Sequence, residues 1–466
     1  MQTSKLSLYL ISCLLFSCLS TGRISNLNLA NEYSSVPESF NVLTELVHEK
    51  DSSLVFLKII KNPLAQSKDK EILGKTIADT LKNKLVVRVR IITSYESRKT
   101  LFNDTIVFKE NSNYNEKPNQ EDGNIITYLS FRIPRFKNQN SLLGLNVSEV
   151  NYMPEKDEQL NSKNKNSSQI IVHSKTIYKT IQEKKGNTTQ FFYLRSPENN
   201  YPLFRNYLKV NEPFIVEFPL YLQESMKLDV HYFDKRFIPA PPPMASVQKE
   251  MEEKVRANPG SSQFLESKET FNIKTNNVEK FNKEGLYLFL LKVPPINDEY
   301  INSVLVVNSN YPHIEEASIM IPPLIYISTS DEYKSFNDTL DRKKIVDDFW
   351  LTIAKDKNHA RNMIREFYRR VENANSLFTS HKEGWKTDRG MIYIIFGEPQ
   401  SVYRTGNSEI WEYFYQLDFQ SIAFKFVNRE NIFSLNHYEM LRSPGYTEIW
   451  YTAVEQWRAG VLKVRE

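Results

Sequence analysis

The stretch from residue 384 to residue 399 constrains the fold of this chain more than any other part of the sequence. It joins a turn that carries charged residues, an apolar run at 391–396 and a second turn at 397–399. Gly384 and Gly390 permit backbone angles closed to other residues, and the Thr-Asp pair between them offers side-chain oxygens to free amides. The pattern predicts a fixed turn followed by a buried strand at 391–396, and it matches no known catalytic motif.

Two amphipathic patterns lie just before this stretch. Apolar residues recur at three- and four-residue steps over 345–353 and again over 360–378, which predicts two helices. All five tryptophans lie after residue 349, so the densest apolar core should be C-terminal. We expect residues 331–466 to form an α+β domain in which the helix pair covers one face of an antiparallel sheet. The strands predicted for that sheet lie at 391–396, 409–414, 422–427 and 432–435.

The stretch at 384–399 resembles the signature of the GWxTD domain family, which is found in envelope lipoproteins of Bacteroidota and their relatives. Gly384, Trp385, Thr387 and Asp388 fill the four named positions. The further positions assigned to the signature are Arg389, Gly390, Gly397, Pro399 and Trp411. The family has no established biochemical activity. The resemblance therefore implies a cellular location and a domain architecture, but no reaction.

Two arrangements of the signature are open at this point. In the favoured one, Trp385 packs against the helix pair and Asp388 pins the loop. Arg389 then lies at the surface, because a guanidinium is rarely buried unpaired. In the other, all three side chains form an exposed ledge that docks a partner, with the aromatic ring and the arginine as anchors.

The start of the chain has the pattern of a lipoprotein signal peptide over residues 1–17. Lys5 is a lone positive charge, residues 6–16 are apolar, and a Leu-Phe-Ser-Cys lipobox ends at Cys18. The apolar run is about half the ~20 residues that a spanning helix requires, so we expect anchoring by lipid on Cys18 and no membrane span. Cys13 also matches a lipobox and remains an alternative, as does an ordinary secreted protein.

The charge balance and the cysteine count exclude several classes of function. The chain has 60 Lys and Arg against 56 Asp and Glu, a net charge of +4, which argues against a nucleic acid partner. Only two cysteines are present, so the mature chain should form no disulfide and no cysteine metal site. The seven histidines are dispersed, and neither a metal site nor a cofactor is expected. His381 near Asp388 is the only pair to inspect for acid–base work, and we predict no catalytic residue.

Composition changes divide the rest of the chain. Residues 18–42 are rich in Ser and Asn without sustained periodicity, as expected of a lipidated tether. Residues 43–238 carry short strand-like segments with polar connections, which predicts a β-sandwich domain. Polar insertions at 109–124 and 155–168 are expected to be exposed loops. The strands predicted in this domain lie at 53–60, 85–92, 125–133, 170–177, 191–194, 213–221 and 228–233.

A proline-rich run at 239–243 follows, and its fixed φ angles predict a stiff, extended linker. A short helix at 245–255 and a second, smaller β domain of immunoglobulin-like type complete the predicted unit 239–330. The strands predicted for this unit lie at 271–274, 286–293, 304–308 and 318–321.

Three Asp-Thr-aliphatic triplets resemble the O-glycosylation site of Bacteroidota envelope proteins. Their threonines are Thr80, Thr105 and Thr339. At the third triplet, Asp338 or Thr339 has an equally good role as the N-cap of the following helix.

Together these features predict a lipid-anchored, multidomain α+β envelope protein that binds other envelope proteins and is not an enzyme. The two β domains would act as spacer and scaffold, and the C-terminal domain as recognition head. The residues after Cys18 lack the acidic cluster that resembles a surface-export signal. We therefore expect the protein to be anchored in the outer membrane and to face the periplasm. The alternative is an envelope hydrolase with an unrecognised site between domains, for which a deep pocket with converging His, Asp or Glu would be the sign.

Overall fold

The computed structural model describes residues 23–34, 38–49, 51–62, 82–109, 116–118, 123–137, 139–152, 169–181, 191–219, 226–234, 237–245, 267–293, 298–338, 340–354, 356–414, 421–429 and 431–461. These residues form a mixed α+β structure with five sheets, almost entirely antiparallel, and six α-helices.

The strands are β1 Phe40–His48, β2 Ser52–Lys61, β3 Lys82–Ile92, β4 Thr100–Lys109, β5 Glu116–Pro118, β6 Ile125–Pro134, β7 Ser141–Tyr152, β8 Gln169–Ile181, β9 Tyr193–Arg195, β10 Tyr207–Lys209, β11 Pro213–Glu217, β12 Lys227–Phe233, β13 Glu269–Lys274, β14 Val278–Lys280, β15 Gly285–Val293, β16 Asp298–Val307, β17 Ser401–Thr405, β18 Ser408–Phe414, β19 Ser421–Asn428 and β20 Tyr438–Met440. The α-helices are α1 Ala317–Met320, α2 Ser330–Ser335, α3 Arg342–Ile353, α4 Lys357–Phe378, α5 Asp388–Phe396 and α6 Thr447–Arg458. Short 3-10 helices lie at Ile24–Asn26, Ala30–Tyr33, Pro322–Tyr326, Gly384–Lys386 and Pro444–Tyr446.

Two antiparallel sheets enclose the first apolar core. Their strand orders are β1-β2-β6-β5 and β4-β3-β7-β8. Successive side chains of a strand point to opposite faces, so Leu57 and Ile59 of β2 meet Val87 and Val89 of β3 in one fully buried cluster. The strands predicted from alternation are confirmed here at β2, β3, β6 and β8.

The sequence pattern did not indicate β1, β4 and β7. In the edge strand β4 the polar residues Asn103, Asp104 and Thr105 are exposed, which breaks the apolar alternation that marks a half-buried strand. Strand β5 lies within the insertion predicted as a loop at 109–124. The insertion at 155–168 and almost all of the helix predicted at 245–255 lie outside the described residues.

Sheets β10-β16-β15-β12-β13 and β14-β11-β9 enclose the second core, in which β10 pairs with β16 in parallel. Phe214 of β11, Val230 of β12 and Phe289 of β15 share this core. The change between the two β cores therefore falls between residues 181 and 191 rather than at residue 238. The strand predicted at 318–321 is wrong, because this segment forms α1, and a short apolar run does not by itself distinguish helix from strand.

The third core lies in the C-terminal part of the chain. Helices α3 and α4 confirm the predicted helix pair. The strand predicted at 391–396 is wrong, since these residues form most of α5, which packs between α4 and the sheet β17-β18-β19-β20. Phe396 of α5 contacts Tyr413 and Phe424 on the inner face of that sheet, with ring centroids 5.6 and 4.9 Å apart. The predicted strand at 432–435 is also wrong, because the fourth strand is β20.

The segment predicted as a flexible tether is packed onto the protein over residues 23–34, called here the N-terminal segment. Ile24 joins a small cluster with Ile92 and Tyr95 of the first β region, and Leu29 and Tyr33 belong to the third core. The backbone N–H of Leu29 donates to the carbonyl of Val402, at 2.8 Å. The prediction of a tether is wrong for these residues. The segment is polar in overall composition, but three widely spaced apolar side chains in it are buried against distant parts of the chain.

The three cores contact one another pairwise. Phe56 of the first core region packs against Tyr193 beside the second, with ring centroids 5.2 Å apart. Phe233 of β12 lies 5.6 Å from Phe433 of the C-terminal part. The N–H of Gly406, at the β17–β18 turn, donates to Glu96 Oε1 at 2.6 Å. The β regions therefore lie beside the C-terminal part, and do not extend away from it as a spacer.

Candidate functional site

The first turn of the signature caps the N-terminus of α5. Thr387 Oγ1 accepts a hydrogen bond from the N–H of Gly390 at 3.0 Å and donates to the carbonyl of Gly384 at 2.7 Å. A threonine at the N-cap satisfies one of the free amides that every helix N-terminus leaves. Thr387 thus sets where the buried helix begins.

The C-terminal end of α5 is satisfied by side chains from two other helices. Arg370 Nη1 donates to the carbonyls of Ile394 and Ile395, each at 3.2 Å, and the indole N–H of Trp457 donates to Ile395 at 3.0 Å. Gly397 follows with a φ of 83°, a conformation that glycine adopts without strain. All residues from 388 to 395 are buried, so these caps allow an apolar helix to lie inside the core.

Two signature glycines are required by close packing. A Cβ on Gly384 would lie 2.0 Å from the carbonyl oxygen of Ala374, and one on Gly390 would lie 2.0 Å from the carbonyl oxygen of Gly384. Neither glycine has a positive φ. The sequence argument from backbone angles was therefore wrong for these two positions, where the turn presses directly on the backbone of α4 and on itself.

Trp385 lies in the core, as predicted. Its side chain is 5% exposed, and its ring faces Tyr326 at 6.1 Å between centroids. Its backbone N–H donates to Asn375 Oδ1 at 3.1 Å, and its carbonyl accepts from the Tyr326 hydroxyl at 2.9 Å. Trp385 thereby joins α4 to the 3-10 helix at Pro322–Tyr326.

Asp388 ties α5 to the chain after β20. Its Oδ2 accepts from the N–H of Met440 at 2.6 Å and from Arg442 Nη1 at 3.1 Å. Arg442 also donates to the carbonyl of Pro241 at 3.2 Å, and the N–H of Ala240 donates to the carbonyl of Lys386 at 3.0 Å. The proline-rich run predicted as a linker is therefore held against the signature.

Arg389 is buried, which contradicts the surface position predicted for it. Its side chain is 10% exposed, and its guanidinium carbon lies 4.1 Å from the ring centroid of Tyr438 and 5.2 Å from that of Phe378. Its Nη1 lies 3.7 Å from Glu409 Oε1, so the guanidinium has a carboxylate nearby. A guanidinium is rarely buried unpaired, and Arg389 is indeed paired, but its partner lies on the distant strand β18.

Glu409, which was not among the predicted site residues, is the centre of a buried polar network. Its carboxylate accepts from the Tyr33 hydroxyl at 2.8 Å, from Arg404 Nε at 2.7 Å and from the indole N–H of Trp411 at 2.7 Å. Burial alone would raise the pKa of Glu409, but Arg404 and Arg389 outweigh it and lower that pKa below 4.5. The available sequence signal was an acidic residue at an inward-facing position of a predicted strand.

Tyr33 completes the network from the other end of the chain. Its ring lies 5.0 Å from that of Trp411 and 5.6 Å from that of Phe378. Burial raises the pKa of Tyr33 well above its usual 10, so the hydroxyl keeps its proton and donates to Glu409. Arg404 pairs with Glu32 at 2.7 Å and donates to the Tyr33 hydroxyl at 2.8 Å.

His381 and Asp388 are directed to different partners. The His381 ring lies 4.9 Å from Phe237 and 5.1 Å from His437, between ring centroids. Burial, followed by the nearby His437 and Lys382, lowers the pKa of His381 well below 6.5, so the ring is neutral. Among the described contacts, no hydrogen bond joins His381 to Asp388, and the pair is not arranged for acid–base work.

The remaining predicted positions divide between described and undescribed parts of the chain. Trp411 and Pro399 are buried, and Thr105 is exposed on the edge strand β4. Cys18, Thr80 and Thr339 lie outside the described residues. The N-cap of α3 is Asp341, whose side chain accepts from the N–H of Lys344 at 3.0 Å, and so Asp338 does not cap this helix.

The outer face of the C-terminal sheet carries exposed and half-buried apolar side chains close to the signature. It is formed by the residues that alternate with the buried Glu409, Trp411 and Tyr413 of β18 and by their cross-strand partners. One row crosses β17, β18 and β19 through Tyr403, Ile410 and Lys425 and continues to Leu441, the residue after β20. Phe414 lies at the end of the same face of β18 and is 52% exposed, and Leu441 is 41% exposed.

Within the described part of the chain, no helix has both the length and the apolar character that crossing a bilayer requires. No group of three His, Cys, Asp or Glu side chains among the same residues is placed to hold a metal ion.

Comparison with known proteins adds one family match. A family model described as GWxTD domain matches residues 285–459. No curated protein sequence matches the chain. Among solved structures, a chain titled pT26-6p aligns at 9% identity over 78% of this chain and 88% of that chain. Its TM-score of 0.13 is too low to support an argument about the fold.

Proposed function

We propose that this chain, which carries a GWxTD domain at residues 285–459, is a lipid-anchored envelope protein that works by binding other envelope proteins. The binding surface is the outer face of the C-terminal sheet. The two β regions serve as a scaffold in which the first is a β-sandwich domain and the second an immunoglobulin-like domain.

The internal role of the signature supports this choice of surface. Trp385, Asp388 and Arg389 each contact a different distant segment, so the exposed ledge that would dock a partner is not available. The signature holds four parts of the chain together around α5: α4, the proline-rich run, β20 and the N-terminal segment. The signature therefore has a structural role, and partner proteins are recognised by exposed surfaces that it holds in place.

The observation that carries the proposal is a group of large apolar side chains on the outer sheet face. An antiparallel sheet with one solvated face usually places polar side chains there. Here the large apolar side chains of Tyr403, Ile410, Phe414 and Leu441 lie on that face. The polar residues around them are Thr405, Ser408, Glu412, Ser421 and Lys425. Aromatic residues are enriched in the cores of protein interfaces, and exposed apolar patches with polar rims are typical of binding surfaces.

The position of the N-terminal segment supports a membrane-proximal C-terminal domain. Four residues lie between Cys18 and Arg23, the first described residue, and the five Cα–Cα steps from Cys18 to Arg23 span at most about 18 Å. We propose that lipid on Cys18 holds the junction of the first β region and the C-terminal domain close to the periplasmic side of the outer membrane. The recognition face would then meet partners at or near the membrane surface.

Site-specific photo-crosslinking in intact cells tests the proposal. A photoreactive amino acid would replace Phe414 or Leu441 on the sheet face, and Val278 on β14 would be the control, because it is apolar and 57% exposed but remote from that face. We expect discrete crosslinked species at the two sheet positions and none at Val278. Crosslinking at Val278 alone, or at none of the three, would refute the sheet face as the binding surface.

A further inference from the structure

We propose that the groove filled by residues 28–33 is a recognition site for an extended segment in which an acidic residue precedes a tyrosine, and that the N-terminal segment is an exchangeable occupant of it. The groove is lined by Arg389, Arg404, Glu409 and Trp411. This inference deepens the proposed function, since it rests on the protein acting by binding and specifies the chemistry of one partner segment.

The edge of the sheet supplies the backbone part of the site. The N–H of Leu29 donates to the carbonyl of Val402 at 2.8 Å, and the N–H of Val402 donates to Asn28 Oδ1 at 2.9 Å. The Asn28 amide also donates to the carbonyl of Gln400 at 2.9 Å. Because β17 is an edge strand, its outer hydrogen-bonding groups are open to an added segment, as in recognition by strand addition.

The aromatic pocket supplies the selectivity. Tyr33 enters between Trp411 and Phe378, and its hydroxyl meets both the Glu409 carboxylate and Arg404. If phenylalanine took this place, Glu409 and Arg404 would each lose a buried hydrogen bond. Sites built to bind a hydroxyl reject analogues that lack it for this reason.

The charges of the groove explain the preceding acidic residue. Arg389 and Arg404 face one buried carboxylate, Glu409, which leaves one positive charge in excess. Glu32 balances that charge through its pair with Arg404, at 2.7 Å between Arg404 Nη2 and Glu32 Oε2. An acidic residue next to tyrosine is therefore the sequence that this groove fits.

We expect the N-terminal segment to unfold locally before the three cores do. Its regular structure consists of two 3-10 helices of three and four residues, and its buried apolar side chains are Ile24, Leu29 and Tyr33. Segments with few buried apolar contacts are the first to undergo local unfolding. Opening would leave Glu409 and Arg404 without the tyrosine hydroxyl, so the vacated groove would favour another segment of the same chemistry.

Peptide binding to the full mature chain tests this exchange. The probe is a fluorescein-labelled peptide with the sequence of residues 26–34, and its binding is measured by fluorescence anisotropy. Removal of the resident side chain by Tyr33→Ala should tighten binding by about tenfold or more relative to the unmodified chain. The same peptide with phenylalanine in place of tyrosine should bind the Tyr33→Ala protein more weakly, by about tenfold or more, because the hydrogen bonds to Glu409 and Arg404 are lost.

A second variant keeps the proposal testable if the Tyr33→Ala protein does not fold. Glu32→Ala removes the ion pair with Arg404 from a half-buried position and leaves the pocket itself intact. It should also tighten peptide binding, by less than Tyr33→Ala does. Equal affinity of the unmodified chain and both variants, or binding that is indifferent to the tyrosine hydroxyl, would overturn the proposal.

The outcome is separable from that of the crosslinking experiment. Tyrosine-dependent peptide binding together with an absence of crosslinks at Phe414 and Leu441 would support the groove and remove the sheet face from the proposed function. Crosslinks at those positions without peptide binding to any variant would remove the groove and leave the sheet face.

Discussion

Replacement of Gly384 by alanine should destabilise the C-terminal part of this protein more than its size suggests. The added Cβ would lie 2.0 Å from the carbonyl oxygen of Ala374, 2.6 Å from its carbonyl carbon and 2.7 Å from the Cα of Asn375. All three atoms belong to the backbone of α4, so no side-chain rotation relieves the contact. An ordinary contact begins at 3.4 Å, so the turn and α4 must separate by roughly 1.4 Å.

The expected magnitude follows from how tightly this region is packed. Overpacking a core typically costs about 1–3 kcal/mol, and a clash with backbone belongs at the upper end of that range. Separation of the turn from α4 would also lengthen the hydrogen bond from the Trp385 N–H to Asn375, now 3.1 Å. We therefore expect Gly384→Ala to lower the free energy of unfolding by about 3 kcal/mol or more.

Gly445→Ala is the matched control. Its Cβ would meet only Ser443 Oγ, at 3.5 Å, and its φ is not positive. Both substitutions reduce the conformational entropy of the unfolded chain by a similar amount, so the difference between them isolates the steric contact. Because all five tryptophans lie between residues 350 and 457, their fluorescence during urea unfolding reports on the C-terminal part alone. A Gly384→Ala midpoint equal to that of Gly445→Ala would refute the steric argument.

Four further outcomes are expected. In urea unfolding, Trp385→Ala should lower the free energy of unfolding by about 3–5 kcal/mol. Arg389→Ala should lower it by about 3 kcal/mol, because Glu409 then has one guanidinium fewer beside it. An unchanged urea midpoint in either variant would contradict the buried position of that side chain. Although burial raises the pKa of Glu409, Arg404 and Arg389 bring it below 4.5, so its carboxylate stabilises the fold above about pH 4.5 and that contribution is lost as the pH falls. Glu409→Gln should therefore weaken the fold by about 3 kcal/mol at pH 7 and less at pH 3, and a pH-independent difference would count against the network. Cys18→Ala should abolish palmitate labelling and release the protein from membranes, whereas label that persists there and disappears in Cys13→Ala would identify the other cysteine as the anchor.

Helix α5 shows how far an apolar run can be interpreted without its surroundings. Six consecutive apolar residues have neither helical nor strand periodicity, and the prediction of a strand took no account of the residues on either side. Thr387 before the run and Gly397 after it are the start and stop signals of a helix, and they do cap α5. The apolar run should have been assigned together with these caps, which were present in the sequence.

The amino-acid sequence by itself determined the features that depend on a continuous pattern. Helices α3 and α4 follow from apolar residues at helical spacing, and β2, β3 and β18 follow from alternation, because one face of each element must be buried. The burial of Trp385 follows in the same way from its place beside an apolar run. These features are set by neighbours within a few residues along the chain.

Only the tertiary structure decided where the charges of the signature lie. A guanidinium or carboxylate can be buried when a partner of opposite charge and hydrogen bonds compensate the loss of water. For Arg389 and Arg404 the compensation comes from Glu409, and for Glu409 it comes also from Tyr33, which is separated from it by 376 residues. No local pattern reports such a partner, so the same arginine is predicted at the surface from the sequence and is found in the core once the chain has folded.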